Sequence, residues 1–139
     1  MNGPDEYLET QVMTATPHQL HLMVIDGAIR YATQAEEALQ ENDFETSHFA
    51  LNRSREFVTE LIGGLDQERS DEIVNQLKSL FMFVYQNLVN ADMKRDVSKA
   101  RDALKILKMH RETWMELGEK VKQENIPTPN ETGEYDWSS

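Results

Sequence analysis

The chain has 139 residues, 25 acidic against 14 basic, a formal net charge of −11 and no cysteine. That length suits one domain with a sizeable core, the negative balance argues against nucleic-acid and anionic-membrane binding, and the missing thiols exclude disulfides and cysteine-based zinc sites. MNGPDEYLET lacks a basic-then-apolar leader and the longest apolar run, LFMFVY at 80–85, is too short to cross a bilayer, so a soluble cytoplasmic protein is expected.

Prolines occur only at 4, 17, 127 and 129, and the block between them reads as four helices. The first is predicted to start at Thr16, with Pro17 at its first position and Gln19 completing a capping box. Its apolar stripe is Leu20, Met23/Val24, Gly27/Ala28, Tyr31, Ala35 and Ala38/Leu39, with Gly27 placed to let a neighbouring helix approach. QEND at 40–43 ends it, and either Asn42 or Asp43 caps the second helix. That helix carries Phe44, Ser47/His48, Leu51, Ser54, Val58 and Leu61/Ile62 inward and is expected to stop at Gly63-Gly64.

Ser70, followed by Asp71 and Glu72, is the expected start of the third helix, since acids suit the positive end of a helix dipole. Its core stripe is Ile73/Val74, Leu77, Leu80/Phe81, Val84, Leu88 and Ala91. Asp96 caps the fourth helix, which turns Val97, Ala100, Leu104, Leu107, Trp114 and Leu117 inward and has Gly118 near its end. Short connections force neighbours antiparallel, predicting an all-α, up-down-up-down four-helix bundle over 16–122. Residues 1–15 form a short mobile N-terminal cap segment and 123–139 a disordered acidic tail in this division. The sequon at Asn130-Glu131-Thr132 in that tail is without meaning for a cytoplasmic protein.

Enzymatic readings find little support. A di-iron bundle needs two Glu-x-x-His pairs and two more glutamates, and the chain has one such pair, Glu45 and His48. His18 and His21 share a helix face but lack a third ligand, and His18 is read as a solvated first-turn residue. No histidine has the lysine and glycine context of a phosphotransfer site, and no carboxylate pair stands in an apolar stretch where its pKa could be tuned. The sequence therefore predicts a non-enzyme without catalytic, cofactor or metal residues. Helix 4 concentrates seven of the 14 basic residues between Lys94 and Arg111. That strip reads either as a solvated face balancing acidic neighbours or as a docking strip for an acidic partner.

The third helix has more apolar surface than one stripe requires. Met82, Tyr85 and Val89 form a second stripe roughly 80 to 140 degrees from the first at 100 degrees per residue. Phe49 and Phe57 lie off the main face of the second helix. Such a surplus marks a groove for a partner helix or a segment of the chain itself, methionine being soft enough to repack; a shifted core direction would instead make these residues ordinary core. Tyr7, Leu8, Val12 and Met13 precede the first cap in polar surroundings, either covering such a groove or fraying as a terminus.

YLETQVMTATPHQLHLMVIDGAIRYATQAEEAL resembles the start of the flagellar export chaperone FliS family, in which a tyrosine precedes T-A-(S/T)-P-x-x-L and an apolar run ending in (D/N)-G. The matching residues are Tyr7, Thr14 to Pro17, Leu20 and Asp26-Gly27. GLDQERSDEIVNQLKSLF resembles the family's turn into helix 3, and ETWMEL around Trp114 its final-helix tryptophan, so the likeness covers about residues 7 to 118. The resemblance implies a cytoplasmic chaperone of the disordered C-terminal segment of flagellin. Such chaperones prevent premature polymerisation and deliver the subunit to the cytoplasmic domain of the export-gate protein FlhA, and the position of Tyr7 is implicated in handover. Helix 3 departs from the family pattern L-Y-x-Y-M-x-R-R-L-x-x-A-N. Phe81 and Phe83 replace its tyrosines, Gln86 and Asn87 its arginines, and Asp92 its final asparagine. These changes imply a divergent client or one bound more by apolar contact. The competing readings are a bundle adaptor of the same fold without flagellin binding and a metal-binding bundle enzyme. The tail with Tyr135 and Trp137, longer than the family commonly shows, is either a solvated end or a short motif that revisits a groove.

Overall fold

A computed structural model of the chain describes residues 6, 9, 10, 13–66 and 72–124. Four helices account for nearly all of them: α1 (Pro17–Gln40), α2 (Phe44–Asp66), α3 (Glu72–Lys94) and α4 (Val97–Glu124). Each packs against its chain neighbours and α4 closes on α1, the ring expected of an up-down-up-down bundle. The described residues of the preceding segment, Glu6, Glu9, Thr10, Met13 and Thr14, are also helical and exposed.

Local chemistry explains the helix ends. Thr16 accepts from the Gln19 amide while the Gln19 side chain accepts from the Thr16 amide, with Pro17 at the first position, as its capping box predicts. At the other end of α1, Asn42 is left-handed at φ 58, Asn42 N–H bonds Leu39 O and Asp43 N–H bonds Ala38 O at 2.8 Å. This is a Schellman stop with asparagine in the usual glycine position. Asp43 then caps α2 through the Thr46 amide, so Asn42 ends one helix and Asp43 begins the next. The α3–α4 corner repeats the scheme. Arg95 is left-handed at φ 51 with its guanidinium 4.1 Å from the Phe44 ring centroid, and Asp96 accepts from the Ser98 amide at 2.9 Å.

The core is led by Phe81, Ile25, Leu51, Leu88, Leu107, Val58 and Val84, all fully buried. The facing surface of α1 is built from Gly27, Ala28, Ala32 and Ala35. These small residues allow α2 to come close enough for the buried Ser54 hydroxyl to donate to the Ala28 carbonyl at 2.8 Å. A Cβ on Gly27 would stand 2.6 Å from Cε1 of Phe57, confirming the close approach expected there.

Several expectations are corrected. Gly63 and Gly64 do not stop α2, which continues to Asp66 and so buries Leu65. The apolar burial of Leu65 offsets about 1 kcal/mol of helix propensity lost per glycine. Ile25 and Ala32 belong to the core although the periodic stripe omitted them, because α1 is contacted from two sides, by α2 and α4. Ile73, Leu80 and Leu117, expected inward, are exposed near helix ends or flanks. His48 is exposed beside buried Ser47. The proposed cap at Ser70 and the tail from 125 onward lie outside the described residues.

Candidate interaction surface

The nine residues singled out by their apolar surplus fall into three sets. Tyr7, Leu8 and Val12 lie outside the described residues, and Met13 is exposed. Phe49 and Phe57 are on α2, facing Tyr31 of α1. Tyr31 meets Phe49 edge-on at 6.3 Å and stacks on Phe57 at 6.0 Å, while the Arg53 guanidinium lies 5.3 Å from the Tyr31 centroid and 5.6 Å from that of Phe57. Phe57 is half-buried against the core, whereas Phe49 keeps 55% of its surface exposed. The outcome is a short aromatic strip on the α1/α2 seam with one ring open to solvent. Arg30 also lies 5.3 Å from the Tyr31 centroid, so cations flank the strip on both helices.

Met82, Tyr85 and Val89 occupy α3. Met82 is 52% exposed, Tyr85 is half-buried against the core and Val89 is half-buried. Sequence reasoning missed Phe83, 55% exposed and roughly 100 degrees around α3 from Met82. The signal was present in Leu80-Phe81-Met82-Phe83, since one helix face cannot bury four consecutive large side chains. Phe81 takes the core place, and Leu80, Met82 and Phe83 remain outside. No ring contact among the described residues joins the α3 set to the Phe49 strip. Across the α2/α3 seam Asp92 accepts from His48 Nδ1 at 2.8 Å and pairs with Arg55 at 3.4 Å.

The α1/α4 seam has a different character. Instead of being a solvated first-turn residue, His18 donates from Nε2 to the Trp114 carbonyl at 2.9 Å, and the Trp114 indole donates to the His18 carbonyl at 3.2 Å. Beneath this clasp His21 Nε2 meets His110 Nε2 at 2.9 Å. Burial, then the neighbouring His110 and His18, lower the His21 pKa from 6.5 to about 4, and burial lowers that of His110. Gly118 gives His18 its space, because a Cβ there would overlap the imidazole. Above the clasp an open cleft of about 620 Å³ is lined by Leu22, Trp114, Met115 and Leu117, among others. Farther along the seam Arg111 binds Asp26 at 2.5 Å and Arg101 approaches Glu36 at 3.9 Å. Part of the basic strip of α4 therefore balances acids of α1. No group of three or more potential metal ligands occurs among the described residues.

The bundle is closed, its corners are capped, and large apolar side chains are left outside its filled core. The family model described as flagellar protein FliS matches residues 1–121. The chain belongs to the FliS family. Among FliS relatives, the flagellar secretion chaperone of Salmonella typhimurium is 30% identical over 115 residues, covering 82% of this chain and 85% of that protein. The flagellar secretion chaperone of Campylobacter jejuni is 25% identical over 111 residues, covering 80% and 87%. That of Bacillus subtilis is 26% identical over 108 residues, covering 78% and 80%. Membership in FliS gives a chaperone role, and these relatives are named as chaperones rather than enzymes. No helix among the described residues is long and apolar enough to cross a membrane.

Proposed function

We propose that this protein is a cytoplasmic, non-enzymatic chaperone of flagellin. It binds the disordered C-terminal segment of the subunit, prevents premature polymerisation and delivers it to the cytoplasmic domain of the export-gate protein FlhA. The observation that carries this reading is the exposure of Phe49, Met82 and Phe83 on a bundle whose core is already filled. A client segment that lacks structure of its own gains apolar contact on such surfaces and folds as it binds. Met82, Tyr85 and Val89 supply one contact strip, Phe49 with the edge of Phe57 another, and residues 1–15, including Tyr7, Leu8, Val12 and Met13, cover client surface when no client is bound.

Calorimetry with a C-terminal flagellin peptide from the same organism tests this. Binding at tens of micromolar or tighter with a negative heat-capacity change is expected, and no heat at that concentration overturns the assignment. Removing residues 1–13 should tighten binding if they cover the surface; weaker binding would make them direct client contacts. A second reading, an adaptor of the same fold that has lost flagellin, draws on Asp92, whose carboxylate is taken up by His48 and Arg55 within the bundle. The same titration separates the two.

A further inference from the structure

The contact between His21 and His110 has a geometry that the chaperone role does not use. Their Nε2 atoms are 2.9 Å apart and their ring centroids 5.2 Å apart, so the two nitrogens face each other nearly head-on. Nitrogens in this arrangement share one proton: one ring donates as the Nε2–H tautomer and the other accepts. A metal ion does not fit between them, because bonds of about 2 Å to each nitrogen require lone pairs that converge at an angle. A proton added to the donor ring leaves the bond intact, as an imidazolium donates to a neutral imidazole. The next proton makes both nitrogens donors, and the bond becomes a repulsion between two cations.

The surroundings oppose that charge. Trp114 of α4 lies 4.1 Å from His21 between centroids, and Phe81 of α3 lies 4.8 Å from His110. Among the described residues, the charges acting on His21 are those of His110 and of His18 on its own helix. On the same seam Asp26 is engaged by Arg111. Among the described residues α2 brings no ring to the pair.

We propose that His21 and His110 form an acid-released latch on the α1/α4 seam: when both rings are charged, the C-terminal part of α4 lifts from the first turns of α1 and uncovers Trp114. Because closure holds both rings below their ordinary value, the closed seam is fully favoured above about pH 6.5. It loses that preference as the pH falls toward about 4, where His21 titrates in place. A fall from 6.5 to about 4 is worth roughly 300-fold in the opening equilibrium for His21 alone. Partial solvent access to the rings reduces this to about 10- to 100-fold.

Amide hydrogen exchange, corrected for intrinsic rates, reads that equilibrium directly. Between neutral pH and about pH 4.5, protection at residues 111–118 should fall about 10- to 100-fold while amides around Val58 in α2 change far less. In the His21→Leu/His110→Leu double variant the local fall should disappear. If that variant does not fold, His21→Gln, which keeps a hydrogen-bonding group but cannot titrate, should remove most of it. In parallel, NMR titration of the histidine rings should place the His21 midpoint well below 6. A His21 midpoint at the ordinary histidine value, an equal loss of protection in α2, or an undiminished fall in the variants would each overturn the latch.

Discussion

Gly27 offers the sharpest test of how α1 and α2 are held together. Replacing glycine by alanine inside a helix ordinarily stabilises by about 1 kcal/mol. At Gly27, however, the new Cβ would lie 2.6 to 2.8 Å from three atoms of the Phe57 ring. That ring has little freedom to retreat, being packed against the core, stacked on Tyr31 at 6.0 Å and covered by Arg53. Overpacking of this kind costs about 1–3 kcal/mol. The helix gain is smaller than the clash, so Gly27→Ala should destabilise by about 1 kcal/mol, lowering the melting temperature by about 4 °C or somewhat more. Gly64→Ala is the matched control, since among the described residues nothing lies within 4 Å of the position its Cβ would take. It should stabilise by about 0.5–1 kcal/mol. Urea denaturation followed by far-ultraviolet circular dichroism measures both, and adding Phe57→Leu to Gly27→Ala should recover part of the loss. If Gly27→Ala proves as stabilising as Gly64→Ala, the close approach of the two helices is not what the glycine serves.

Other expectations concern the corners, the core and the binding surface. Asn42→Gly should raise stability by about 0.5 kcal/mol by relieving a left-handed asparagine, whereas Arg95→Gly should gain nothing, because it also removes the cation held over Phe44; thermal melting compares them. Ser54→Ala should cost about 1 kcal/mol in urea unfolding through loss of the buried bond to the Ala28 carbonyl. Met82→Asp and Phe49→Asp should weaken binding of the flagellin peptide about tenfold or more with little change in melting, since half of each side chain already faces water. Phe57→Asp should instead lower the melting temperature, and equal melting of all three would contradict the burial difference.

The elements most legible in the sequence are those decided within a few residues. Thr16, Pro17 and Gln19 form their capping box from neighbours three positions apart, and Asp96 holds the Ser98 amide in the same manner. Four amphipathic stretches with short connections sufficed for the bundle, and the spaced pattern from Tyr7 to Gly27 for the family. Tertiary structure decided whatever depends on a second helix. Gly63 and Gly64 carry a stop signal, but the buried side of Leu65 keeps the helix going. Leu80 and Phe81 are equivalent on a periodic stripe, and only the placement of α4 sends Phe81 inward while leaving Leu80 outside. His21 and His110 stand 89 residues apart and are unremarkable in sequence. Closure of α4 onto α1 brings their nitrogens into contact, and the accompanying burial lowers the pKa of both rings. Caps are local hydrogen bonds and are written locally; burial and proton affinity belong to the contacts between helices, which a single helical period does not specify.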